Sequence, residues 1–227
     1  MIRIRNLSKV YNNFEVETRA LSKVNLDVKE GEFVAIMGPS GCGKTTLLNI
    51  LGLLDKPSEG TYFLQDNDVS QINEKHSSIY RKNMMGFVFQ NFNLIDELNV
   101  FENVELPLIY IGMKPKERKE RVDKVLDKMQ ILYRKYNFPI QLSGGQQQRV
   151  AVARAIVSEP QIILADEPTG NLDSAHGEEV MRMLDDVNKS GATVIMVTHS
   201  QRDASYSNRV IRLFDGQIIN ENILQKF

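Results

Sequence analysis

The chain has 227 residues, of which 42% are hydrophobic and 25% charged, with a formal net charge of −1. This near balance gives no electrostatic reason to expect nucleic-acid binding, and no apolar run approaches the roughly 18 residues that a membrane-spanning helix needs. The single cysteine, Cys42, excludes an intrachain disulfide and suits a reducing compartment, while the opening Met1-Ile-Arg-Ile-Arg lacks the layout of a signal peptide.

Val24, Leu26 and Val28 alternate with polar residues, which predicts a half-buried antiparallel strand. The run 33–37 is continuously apolar instead, as are 162–165 and 194–197. Strands buried on both faces read this way, so the three runs predict a parallel sheet covered by helices. They end at Gly38, at Asp166 and Glu167, and at Thr198 and His199. Ligands of open α/β sheets bind beyond the carboxyl ends of the strands, so the runs are expected to converge on one crevice.

Gly38-Pro39-Ser40-Gly41-Cys42-Gly43-Lys44-Thr45 fills every position of the phosphate loop G-x-x-x-x-G-K-[ST]. The three glycines let backbone amides wrap a phosphate chain without Cβ clashes. Lys44 is expected to reach the β- and γ-phosphates, and the Thr45 hydroxyl to ligate Mg²⁺. Thr46 opens the helical run that follows and completes the expected nucleotide-binding set.

From about Asn91 to Arg149 parallel-strand runs are lacking. Val122, Val125, Leu126 and Met129 fall at helical spacing, and the basic stretch 114–128 is interleaved with Glu117, Glu120, Asp123 and Asp127. That mixture predicts a solvated helix face rather than a polyanion site. The segment therefore reads as a mostly helical insertion. Near its end, Leu142-Ser143-Gly144-Gly145-Gln146 opens a helix and offers a second place for an anion, through unpaired N–H groups and the helix dipole. One phosphate chain held by the first loop leaves the second unused, unless it reaches a nucleotide on another copy. The pair predicts an ATPase that closes its site by dimerising.

Asp166, at the end of its buried strand, can hold Mg²⁺ through water, and Glu167 beside it can accept a proton from an attacking water. Val180, Met183, Leu184 and Val187 then predict a helix stopped by Gly191, and 212–219 reads as a hairpin on an Asp215-Gly216 turn.

The run Ser143-Gly-Gly-Gln-Gln-Gln-Arg149, followed by Ala153-Arg154-Ala155, resembles the signature of ATP-binding cassette (ABC) ATPases. Asp166-Glu-Pro-Thr-Gly-Asn-Leu-Asp173 is similar to that family's Walker B and D-loop, and the resemblance spans almost the whole chain with the motifs in family order. It implies an α/β fold: a P-loop NTPase (RecA-like) core with a parallel sheet, an N-terminal antiparallel β subdomain and an inserted α-helical subdomain. Residues 1–227 would form one nucleotide-binding domain, with the core at 1–90 and 150–227 and the signature-bearing helical subdomain at 91–149.

The resemblance also assigns roles. Tyr11 would stack on adenine. Gln90, in Phe87-Val-Phe-Gln90, would contact Mg²⁺ with Thr45 and Asp166 and report nucleotide state to a partner. His199 would contact the γ-phosphate and help orient water, so that Glu167, His199, Lys44 and Gln90 form the catalytic set. Ser143, Gly144, Gly145 and Gln146 would complete the ATP site of a second copy. Asp173 would lie at the dimer seam, although it reads equally as a helix N-cap. Two positions depart from the pattern. Cys42 stands where Ser or Ala is frequent, which predicts thiol-sensitive activity, and Ser200 stands where Asp or Glu commonly follows the histidine.

Phe87 to Leu94, Glu102 to Leu108 and Tyr110-Ile-Gly112 resemble one branch of the family, comprising lipoprotein-releasing, macrolide-export, cell-division and antibiotic-peptide detoxification ATPases. This implies a homodimer closing on two ATP, peripheral to the cytoplasmic face of the membrane through a separate permease with an extracytoplasmic domain. The permease would export lipoprotein, peptide or drug, or transmit motion only. The alternative is a nucleotide-gated regulatory ATPase of a cell-division or cell-wall system. A soluble relative acting on DNA or ribosomes would carry a long coiled-coil insertion or a second cassette, and neither is in the sequence.

Overall fold

Residues 1–13 and 16–224 are described in the computed structural model. The first elements in chain order are β1 (Ile2–Asn13), β2 (Val16–Val28), β3 (Phe33–Met37), α1 (Lys44–Leu51), β4 (Glu59–Leu64), β5 (Asn67–Asp68) and α2 (Glu74–Met84). There follow β6 (Met85–Val88), α3 (Val100–Tyr110), α4 (Pro115–Lys128), two short 3₁₀ turns (Leu132–Arg134 and Pro139–Gln141) and α5 (Gly144–Ile156). The chain continues with β7 (Ile162–Asp166), α6 (Ser174–Lys189), β8 (Thr193–Thr198), α7 (Gln201–Ala204), β9 (Arg209–Phe214) and β10 (Gln217–Ile223). By packing they form two bodies, Met1–Arg81 with Thr193–Phe227, and Lys82–Ala192. The fold class is α/β, as the sequence predicts.

In the first body an antiparallel sheet has the order β2-β1-β4-β5. The alternation at 24–28 is realised here, with Ile2 opposite Val28 and Ile4 opposite Leu26, and all four side chains buried. Separately, β3 lies between β8 and β9 and runs parallel to both. Every residue of β3 and β8 is buried, which is why both read as unbroken apolar runs. β9 and β10 pair antiparallel about Asp215 and Gly216, at φ 45° and 73°. Two successive left-handed residues are what a tight two-residue hairpin requires, and Asp-Gly supplies them.

In the second body β6 and β7 pair in parallel, from Met85 opposite Ile162 to Val88 opposite Ala165. Helix α5 buries Val150, Ala151, Val152 and Ala153 completely. Its backbone approaches β6 at Gly86, where an added Cβ would collide with the Ala155 carbonyl oxygen. Helix α4 buries Val122 and Leu126 and leaves most of its charged residues exposed, while Arg118 and Asp123 are half-buried in ion pairs with Glu105 and Lys135. Helix α6 buries Val180, Met181, Leu184 and Val187, while Met183 is only half-buried. Met181 and Met183 flank the same stripe on opposite sides, and periodicity alone does not say which side the core covers. The helix ends at Lys189, two residues before Gly191 at φ 107°.

Candidate active site

The phosphate loop occupies the turn from β3 into α1 in the first body. A Cβ at Gly38 would strike the Leu213 carbonyl oxygen, and one at Gly43 would strike that of Ala20. Gly43 also sits at φ 101° and caps α1 without a side chain, so the first-turn N–H groups keep no side-chain cap. The loop is braced from outside by Gly216 N–H, which donates to the Cys42 carbonyl at 3.1 Å. Lys44 is buried, with Nζ donating to the carbonyls of Gly38 at 2.9 Å and Pro39 at 2.8 Å. The ammonium is thereby folded over the loop whose amides would hold an anion. Cys42, where the sequence departs from Ser or Ala, is a buried free thiol.

The end of β8 lies beside the loop in the same body. Met37 pairs with Thr198, so Gly38 and His199 leave adjacent parallel strands together. Ser200 caps α7 by accepting from Asp203 N–H at 3.2 Å, and its own N–H donates to Thr198 Oγ1 at 3.0 Å. The position that departs from the family acid is thus used as a helix cap. Tyr11, on β1 and about one-third exposed, donates its phenol proton to Asp55 Oδ2 at 2.8 Å.

In the second body β7 delivers Asp166, and the chain turns at Glu167 with φ 43°. A left-handed glutamate costs on the order of 1 kcal/mol, and such strain concentrates where a side chain must be aimed. Three contacts fix the turn: Gly170 N–H to the Glu167 carbonyl at 3.0 Å, Gln148 Nε2 to the Pro168 carbonyl at 2.7 Å, and Asn171 Nδ2 to the Gln90 carbonyl at 2.9 Å. A Cβ on Gly170 would lie 2.9 Å from Gln90 Nε2, so the Gln90 amide rests on the turn that carries Glu167. Gln148 and Asn171 were not singled out by the sequence, because a mid-helix Gln and a turn Asn carry no spacing signal.

The signature segment opens α5 in that body. Ser143 and Gln146 form a reciprocal cap, Gln146 N–H donating to Ser143 Oγ at 3.4 Å and Ser143 N–H to Gln146 Oε1 at 3.0 Å. By helix geometry the N–H groups of Gly144 and Gly145 point out of the first turn, toward whatever anion lies beyond it. Asp173 is the N-cap of α6, accepting from Ala175 N–H and His176 N–H, each at 3.0 Å. Those bonds and the His176 ring hold its carboxyl below the usual carboxylate range.

Thr45 in the first body, and Gln90 and Asp166 in the second, carry hydroxyl, amide and carboxylate oxygens, the hard donor types that Mg²⁺ takes. Among the described residues no group of three or more His, Cys, Asp or Glu is arranged to hold a metal.

The family profile described as ABC transporter matches residues 21–170. An uncharacterized ABC transporter ATP-binding protein of Methanocaldococcus jannaschii, MJ1508, is 48% identical over 219 residues, covering 96% of this chain and 98% of that protein. The macrolide export ATP-binding/permease protein MacB of Hyphomonas neptunium is 43% identical over 222 residues, covering 98% of this chain but 34% of its own length. Among solved structures, the dimeric post-hydrolysis state of the ATP-binding cassette MJ0796 bound to ADP and Pi superposes with a TM-score of 0.93 at 45% identity, over 100% of both chains.

Proposed function

The chain belongs to the ABC transporter ATP-binding family and is an ATPase of that type; on this premise we propose that it works as half of a pair, each copy completing the other's ATP site. The observation that carries the proposal is the presence of two helix starts of the kind that suits an anion, α1 behind the phosphate loop and α5 behind Ser143. One triphosphate needs only the first. The second is accounted for if it meets the γ-phosphate held by a partner copy, and the dimeric structure of the MJ0796 cassette supports this.

In this reading the loop Gly38–Thr46 and Lys44 bind the phosphates, and Tyr11 stacks on the base. Thr45, Gln90 and Asp166 would hold Mg²⁺, whose positive charge would offset that of the phosphate oxygens. Glu167, aimed by its strained turn, takes the proton of the attacking water, and His199 orients that water against the γ-phosphate. Ser143, Gly144, Gly145 and Gln146 of the second copy stabilise the developing charge, and Asp173 sits at the seam. Residues 91–149 act as the helical subdomain and 1–90 with 150–227 as the catalytic core. Hydrolysis removes the contacts that hold the pair closed.

We further propose that closure drives a separate permease at the cytoplasmic face of the membrane, for export or for transmission of motion. The likeness to MacB, named as a fused ATP-binding and permease protein, supports this. Among the described residues no helix is long and apolar enough to cross a membrane. The half-site reading is tested by measuring specific ATPase activity against subunit concentration. It should rise with concentration and plateau as pairs form; a flat profile from nanomolar upward contradicts it.

A further inference from the structure

We infer that Lys9 and Asp55 form a clamp that positions Tyr11 as a platform for the nucleobase. The inference rests on the assignment of Tyr11 as the base-stacking residue. The Asp55 carboxylate is shared: Oδ1 accepts from Lys9 Nζ at 2.6 Å and from Lys56 N–H at 2.7 Å, while Oδ2 accepts the Tyr11 phenol at 2.8 Å. Lys9 Nζ also donates to the Lys56 carbonyl at 2.8 Å and lies 4.8 Å from the centroid of the Tyr11 ring. One residue therefore fixes the rim of the ring and another covers a face.

The local sequence explains the geometry. Lys9 and Tyr11 stand two residues apart on β1, the spacing that puts strand side chains on one face, and both reach Asp55 in the loop after α1. That loop is anchored in turn, Leu54 N–H donating to the Asn49 carbonyl at 2.8 Å. Tyr11 is thus tied, through Asp55, to the loop that leaves the helix opened by the phosphate loop.

A ring free to rotate must be ordered when a base stacks on it; a ring held beforehand loses little. With the ammonium occupying one face, the other is left for a purine. Asp55 and Lys9 are positioning residues, since neither is asked to touch the nucleotide.

The test separates the base from the phosphates. ADP dissociation constants are measured by titration calorimetry, and inhibition constants of inorganic tripolyphosphate in the ATPase assay, for Tyr11→Phe, Asp55→Asn, Lys9→Met and Lys9→Arg. Tyr11→Phe keeps the stacking ring and removes only its anchor. The clamp predicts that Tyr11→Phe, Asp55→Asn and Lys9→Met each weaken ADP about fivefold, with tripolyphosphate unaffected and Lys9→Arg close to wild type. The inference is overturned if Tyr11→Phe and Asp55→Asn bind ADP like wild type, or if ADP and tripolyphosphate weaken together. Tyr11→Ala separates the two levels. If it weakens ADP while Asp55→Asn does not, only the clamp fails; if it has no effect, the stacking assignment fails as well.

Discussion

The imidazole of His176 is packed on Gly145 so closely that a Cβ at 145 would lie 2.6 Å from its Cδ2. The same ring is fixed from its far side, Nδ1 standing 2.6 Å from Asp173 Oδ2. The second glycine of the signature segment and the N-cap of α6 are therefore joined through one side chain. Gly144 differs, because a Cβ there would meet nothing nearer than 3.8 Å.

Gly145→Ala should consequently destabilise the protein by about 1–3 kcal/mol, the usual cost of overpacking, whereas Gly144→Ala should not. His176→Ala should restore much of the loss when combined with Gly145→Ala. Urea denaturation of the four proteins gives the coupling directly; strictly additive effects would show that the ring yields without cost.

Arg154 donates to the carbonyls of Phe92 at 2.8 Å and Asn93 at 2.6 Å, two residues held at φ 60° and 48° just after Gln90. Charged donors to backbone carbonyls stabilise by more than neutral ones, and here they hold a strained turn. Arg154→Ala should speed amide hydrogen exchange across 91–94 by at least about tenfold while α5 stays protected. Unchanged exchange there would show that the turn holds itself.

Burial pushes the Asp55 carboxyl up, but hydrogen bonds from Lys9, Tyr11 and the Lys56 N–H outweigh it and hold its pKa below 3.8. A carboxyl depressed in the folded state contributes stability that is present above its unfolded value and lost as pH falls through the folded one. The urea midpoint of Asp55→Asn should lie below that of wild type at pH 7, with the gap narrowing as pH falls below about 4. A gap that widens with acid would reverse the assignment.

Cys42 is 4% exposed, and its Sγ lies 2.6 Å from where a Cβ on Gly38 would sit. Thiol sensitivity of the activity is therefore expected to be slow, limited by opening of the loop. Alkylation by N-ethylmaleimide should be at least about 100-fold slower in the native protein than in urea, and should abolish ATP hydrolysis once complete. Full modification with full activity would show that the loop tolerates the added group.

The features legible in the sequence are those written in local patterns. Unbroken apolar runs gave β3, β7 and β8, Asp215-Gly216 gave the hairpin, and the glycine spacing gave the phosphate loop. Strand β1 was missed because the alternation of Ile2-Arg3-Ile4-Arg5 breaks at Asn6, at φ 49°, where the pairing also slips, and β4 because it opens on Glu59-Gly60-Thr61 before its two buried residues, Tyr62 and Leu64. The contacts that shape the site were not legible at all. Gln148 with Pro168, Tyr11 with Asp55 and His176 with Gly145 join residues whose proximity exists only after the elements pack.

The central claim is tested most directly by the mass of Glu167→Gln in size-exclusion chromatography with light scattering, alone and combined with Ser143→Arg. Paired half-sites predict a monomer without nucleotide, a dimer with Mg-ATP, and a monomer again when arginine blocks the signature segment, although that double variant still binds ATP. If the double variant dimerises on Mg-ATP as readily as Glu167→Gln, the signature segment plays no part in closing the pair, and the account is wrong.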